Sequence, residues 1–109
     1  EEACRIVNRA KDLGKRICSI GTTTMRCLET SFTASHLLKP SEGWTNNFIH
    51  PPYDFSVADS MVTNFHLPKT SLYIMTCAFA GYDLTVEAYD KAIKDKYRFF
   101  TYGDAMLIV

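Results

Sequence analysis

The chain has 109 residues, enough for one domain or part of a larger one, and 47% of them are apolar against 22% charged, a globular composition and not a disordered one. Lys plus Arg and Asp plus Glu both number 12, and this zero formal charge argues against a dedicated nucleic-acid module, which carries a basic excess. No apolar run reaches membrane-spanning length; the longest, Leu72 to Ala80, is far too short.

In chain order, Ala3, Ile6, Val7, Ala10 and Leu13 fall at helical spacing, with Glu2, Arg5, Arg9 and Asp12 opposite and Gly14 as the stop. Arg16 to Ile20 is expected as a strand, followed by Gly21 and a helix from about Thr23 to Ala34 with Met25, Leu28 and Phe32 inward. Helix, strand, helix in succession predicts a parallel sheet with crossover helices. Pro40, Gly43, Pro51 and Pro52 mark Lys39 to Phe55 as loop. Ser60 to Phe65 reads as a strand. Lys69 to Ala80 reads as a buried helix capped by Thr70 or Ser71 and closed by Gly81. Asp83 is the expected N-cap of the next helix, whose inner face is Ala88, Tyr89, Ala92 and Ile93. Tyr97 to Tyr102 is expected to be extended, followed by a Gly103-Asp104 turn and a last strand from Ala105 to Val109. The chain opens inside a helical pattern and closes on an apolar strand, as expected of a segment cut from a longer protein.

Cys4, Cys18, Cys27 and Cys77 show no C-x-x-C pair and no ligand-like His neighbour, so no zinc site is expected. They read as buried free thiols, which fits a reducing, cytoplasmic setting.

Chemistry is expected where strands hand over to helices, because ligands of parallel α/β folds gather at the carboxyl ends of strands. Gly21-Thr22-Thr23-Thr24-Met25-Arg26 is the first such place. Free N–H groups of a helix start, threonine hydroxyls and Arg26 suit an anion; a capped helix with a surface arginine is the plainer alternative. The second is Thr63-Asn64-Phe65-His66-Leu67-Pro68-Lys69, where Asn64, His66 and Lys69 are polar groups in an apolar context. His66 is a candidate acid or base, against a structural histidine satisfied by a backbone carbonyl. The third is Tyr97-Arg98-Phe99-Phe100-Thr101-Tyr102-Gly103-Asp104. Its aromatics suit either base stacking or core packing, and Asp104 either a base, a ribose ligand or a turn. Trp44, Phe48 and Tyr53 line a pocket or pin the long loop.

Together, Gly21-Thr22-Thr23 with Arg26 and Leu28-Glu29, Gly43-Trp44-Thr45, Thr63 to Lys69, Ala78-Phe79-Ala80-Gly81, and Tyr97 to Phe100 with Tyr102 to Met106 resemble, in order, the S-adenosylmethionine:tRNA ribosyltransferase-isomerases of queuosine biosynthesis. Met25 and Asn46-Asn47 depart from the usual pattern. The resemblance implies that residues 1–109 are a single segment, the C-terminal part of a barrel-like α/β catalytic domain with mostly parallel strands. It also implies transfer and isomerisation of the ribosyl unit of S-adenosylmethionine onto 7-aminomethyl-7-deazaguanine at the tRNA wobble position, with release of adenine and methionine. S-adenosylmethionine is then a substrate, and no metal or other cofactor is expected. His66 and Asp104 are the candidate proton-transfer groups, and Thr22, Thr23, Arg26, Asn64, Lys69 and Tyr102 the candidate substrate contacts. The segment alone is expected to be inactive. The competing expectations are a non-catalytic module that docks tRNA or a partner, and a generic phosphate-binding α/β enzyme.

Overall fold

Local sequence sets seven elements in the computed structural model, which describes residues 1–109: α1 (Glu2–Asp12), β1 (Cys18–Ile20), α2 (Thr22–Ser31), β2 (Ser60–Asn64), α3 (Ser71–Ala80), α4 (Tyr82–Lys94) and β3 (Ala105–Ile108). Thr70 caps α3, its side chain accepting the Tyr73 N–H. Gly81 separates α3 from α4 at φ 93, a conformation that a side chain resists. Its N–H donates to the Cys77 carbonyl, and its own carbonyl accepts both the N–H and the hydroxyl of Thr85. Gly81, and not Asp83, is therefore the N-cap of α4; Asp83 sits inside the first turn, where its charge complements the helix dipole.

The strands form one sheet in the order β1-β2-β3. β1 and β2 are parallel, with Ser19 opposite Met61, and β2 and β3 antiparallel, with Asn64 opposite Ala105. The sheet is thus mixed and not mostly parallel, because β3 returns from α4 through a short turn instead of a crossover. The crossover between β1 and β2 is the predicted one, carried by α2 and a long irregular segment.

Met61 of β2 and Phe65, the residue just past its end, recur on one face of the chain and feed the two cores. Met61 joins Met25 of α2, Met75 of α3, Ile49 and Ala58; Phe65 joins Tyr89 and Ala92 of α4. Met25 and Met61 are both 0% exposed.

Several local expectations change. α2 ends at Ser31, and β1 begins only at Cys18. The apolar stripe of α1 is only partly covered: Val7 and Ala10 are half-buried, but Ile6 is 58% and Leu13, just past the helix, 62% exposed, and Ile93 of α4 also faces out. Only Cys77 is a buried thiol; Cys18 and Cys27 are exposed. Residues 97–104 form a closed turn and no strand.

The segment between α2 and β2 has no helix or strand of its own, yet it is fixed by specific polar contacts. Glu29, on the inward stripe of α2 and 8% exposed, accepts the hydroxyl of Tyr53 at 3.0 Å and the N–H groups of Ser56 and Val57 at 2.9 and 3.2 Å. Desolvation and then the adjacent Glu29 charge raise the Tyr53 pKa, which keeps that hydroxyl a donor. Asn8 of α1 donates to the Leu38 carbonyl at 3.0 Å and accepts its N–H at 2.9 Å. The Asp59 carboxylate accepts the Ile17 N–H at 2.8 Å, next to the start of β2.

Removing Glu29 strands three donors in a poorly hydrated place. Glu29→Ala is expected to destabilise the fold by about 2–4 kcal/mol, read as a lower urea midpoint; a loss below about 0.5 kcal/mol would show that the contacts are dispensable.

Candidate functional site at the carboxyl edge of the parallel strands

The parallel register sets the site. The Gly21 N–H donates to the Val62 carbonyl at 2.8 Å, so β1 and β2 end side by side. α2 starts from one strand end and the Asn64–Lys69 segment leaves the other. β3 is antiparallel and begins opposite Asn64, which brings Asp104 to the same edge. Asn64 Nδ2 donates to the Asp104 carbonyl at 3.4 Å. The sheet therefore gathers Thr22, Thr23, Asn64, His66 and Asp104 at one end.

α2 begins without a side-chain cap, since Gly21 is its N-cap. Its first-turn N–H groups belong to the three threonines, of which Thr22 is buried and Thr23 and Thr24 are exposed. An uncapped helix start at a strand end is an anion-attracting surface.

His66 is half-buried. Its backbone N–H donates to the Tyr89 hydroxyl at 2.9 Å, and its Nε2 lies 2.9 Å from Thr63 Oγ1. The Thr63 hydroxyl also lies 3.3 Å from the Asn64 carbonyl, so the ring is held through Nε2 while Nδ1 has no side-chain or backbone partner. Burial lowers the imidazole pKa below the ordinary 6.5, so the ring is neutral at pH 7. In the tautomer with its hydrogen on Nε2, this neutral, oriented imidazole can accept a proton at Nδ1.

Asp104 is differently placed. Its carboxylate accepts the Arg98 backbone N–H at 2.7 Å and the Arg98 guanidinium at 3.3 Å. The backbone hydrogen bond, followed by the guanidinium, holds its pKa below the usual carboxylate range. The Asp104 N–H also returns to the Arg98 carbonyl, and Gly103 N–H to that of Phe100, which closes residues 98–104 on themselves. Beneath this loop, Phe99 stacks on Phe65 with centroids 5.1 Å apart, and Tyr97 meets Phe65 edge-on at 5.9 Å. Core packing therefore describes Phe99, while Tyr97, 50% exposed, only edges onto Phe65 and Tyr102 stands 93% exposed at the tip of the turn.

Lys69 is exposed at φ 63, in the turn leading to α3. Arg26, one turn into α2, points to a different neighbour from the threonines: its guanidinium donates to the Asn47 carbonyl at 3.2 Å. It lines a cleft of about 240 Å³ with Asn46, Asn47, Phe48, Ile49, Ser71, Leu72 and Met75. Phe48 thus lines a pocket, Tyr53 pins the loop through Glu29, and Trp44 is fully exposed. This cleft and the Glu29 contacts are not evident from the local sequence. The one signal was a glutamate four residues after Met25, on the buried stripe of α2.

These features define a mixed α/β domain whose polar groups collect at the carboxyl ends of a parallel strand pair, the arrangement of a ligand-handling protein. A family model described as queuosine biosynthesis protein matches residues 1–108, and the chain belongs to that family. It is 62% identical over 108 residues to an S-adenosylmethionine:tRNA ribosyltransferase-isomerase of Phocaeicola vulgatus, covering 99% of this chain and 31% of the relative. Identity is 57% over 109 residues to the protein of the same name in Flavobacterium psychrophilum, again 31% of its length. The crystal structure of the S-adenosylmethionine tRNA ribosyltransferase of Thermotoga maritima superposes with a TM-score of 0.88 at 45% identity, over 99% of this chain and 38% of that one. The chain thus spans about a third of the relatives it matches. No helix is long and apolar enough to cross a membrane.

The turn carrying Asp104 depends on close approach at Gly103. A Cβ there would sit 2.6 Å from the Arg98 carbonyl oxygen and 2.7 Å from the Phe99 carbonyl carbon, both backbone atoms that cannot swing aside. Gly103→Ala is expected to cost about 1–3 kcal/mol in urea denaturation; an unchanged midpoint would contradict the tight closure.

Proposed function

We propose that this segment forms part of the catalytic domain of a longer, cytoplasmic S-adenosylmethionine:tRNA ribosyltransferase-isomerase. The reaction moves the ribosyl unit of S-adenosylmethionine to 7-aminomethyl-7-deazaguanine at the tRNA wobble position and rearranges it to the epoxycyclopentanediol of epoxyqueuosine, with loss of adenine and methionine. The observation that carries this reading is the β1–β2 register, which sets the uncapped start of α2 beside the His66 segment in a chain of this family.

In this proposal the sulfonium acidifies the adjacent 5′ carbon of the substrate, and a general base removes a proton there. His66 has the properties that step needs, being neutral at pH 7 and oriented by Thr63. Asp104, already holding two donors from Arg98, fits the task of fixing the loop at the mouth of the site. The helix start at Thr22 and Thr23 offers its N–H groups and hydroxyls to anionic or polar substrate groups. Asn64 contributes a carboxamide at the same edge. Lys69 and the exposed Tyr102 offer a cation and a stacking ring to the tRNA. The remaining walls of the site belong to the rest of the enzyme, so the segment by itself is inactive in this reading.

The test is adenine release by the full-length enzyme with undermodified tRNA. His66→Gln is expected to lower kcat about 10²–10⁴-fold. In the wild type, kcat/KM is expected to fall on the acid side only below pH 6.5, because burial lowers the pKa of the base. Full activity in His66→Gln, or an acid limb centred above 6.5, would remove His66 from this role.

A further inference from the structure

The cleft in front of Arg26 is not explained by the strand-end site. It lies between the first turns of α2, residues 46–49 and the start of α3, with Ile49, Leu72 and Met75 as an apolar floor. Its size, about 240 Å³, is room for about eight waters at their liquid volume, suited to an amino-acid unit and too small for a nucleoside.

Its charge is one-sided. The ion pairs of the structure are Lys91–Asp95 and Arg98–Asp104, so Arg26 has no carboxylate partner, and no acidic residue lines the cleft. One guanidinium nitrogen donates to the Asn47 carbonyl, which steadies the group and leaves its other N–H donors free. Ser71, the first residue of α3, also lines the cleft, at a helix start where the dipole favours negative charge. Asn46 and Asn47 line it with carboxamides that can accept through their oxygens, the Asn47 side chain also reaching the Tyr53 hydroxyl, and Phe48 brings an aromatic ring. A guanidinium at one end, amide acceptors beside it, an apolar floor and an aromatic face match a zwitterionic amino acid with an unbranched apolar tail and a cationic end. A backbone phosphate, flanked by two riboses, would not use that floor.

Resting on the reading of this chain as part of an S-adenosylmethionine-consuming enzyme, we infer that the Arg26–Asn46–Asn47–Phe48 cleft holds the amino-acid end of the sulfonium substrate, with Arg26 on its carboxylate. The carboxylate takes the free guanidinium donors as a charge-assisted pair. The ammonium takes the asparagine oxygens, and the sulfonium lies toward the Phe48 ring. Arg26 is then a determinant of substrate class: it selects the amino-acid form of the donor over one that lacks the carboxylate.

The experiment compares equilibrium binding of S-adenosylmethionine and decarboxylated S-adenosylmethionine to the full-length enzyme and to its Arg26→Gln variant, with adenine release measured alongside. The wild type is expected to prefer the carboxylated ligand by about tenfold or more, and Arg26→Gln to abolish that preference while binding the decarboxylated ligand as the wild type does. No preference in the wild type, a preference that survives in Arg26→Gln, or an equal loss of both ligands overturns the inference. Adenine release without any carboxylate preference sinks this assignment and leaves the proposed function standing. A carboxylate preference that depends on Arg26, without adenine release, supports the cleft and removes the function.

Discussion

A single buried carboxylate holds together the part of the chain on which the site depends. Between α2 and β2 the chain covers residues 32–59 with only an isolated bridge between Phe32 and Leu38. A stretch this long without secondary structure needs anchors if it is to deliver a strand in register. Glu29 supplies them by taking Tyr53, Ser56 and Val57 just before β2 begins. Asp59 then ties the start of β2 to Ile17, just ahead of β1. With the two strand starts aligned, the two strand ends align as well, and those ends are the candidate site.

The same logic explains how the antiparallel strand contributes. β3 adds no crossover, but its first residue pairs with the last of β2, so whatever precedes it arrives at the site edge. The loop before it is held from below by Phe99 on Phe65 and from within by Arg98 and Asp104. Phe65 thus acts twice: it belongs to the second core with Tyr89 and Ala92, and it seats the loop beside its neighbour His66. Tyr89 likewise packs in that core while its hydroxyl accepts the His66 N–H. The position and neutral state of His66 are consequences of packing, so core changes at Phe65 or Tyr89 act on the site through it.

Much of this was legible in the sequence because it is local. Helical spacing located α1 and α4, an all-round apolar run between Thr70 and Gly81 located α3, and the handover from an apolar strand to Gly21 located the start of α2. A parallel sheet with a crossover helix was expected from the alternation of elements, and β1 and β2 pair that way. What was not legible depends on contacts distant in sequence. The antiparallel sense of β3 depends on where α4 delivers the chain, and the aromatic run 97–102 looks like a strand although its backbone bonds close a turn. The helical stripe of α1 reads as a buried face, yet it is only partly covered, with Ile6 exposed, since periodicity reports an apolar side and not what covers it. Arg26 looked like a companion of Thr22 and Thr23; one helical turn is enough to aim it at the Asn47 carbonyl instead.

The most direct measurement of the central claim, that this strand edge carries the proton-transfer step, is solvent deuterium exchange at the 5′ carbon of S-adenosylmethionine, followed by NMR in the full-length enzyme. Exchange is predicted in the wild type and absent in His66→Gln when that variant still binds the substrate. Exchange that persists in His66→Gln at the wild-type rate would contradict the account.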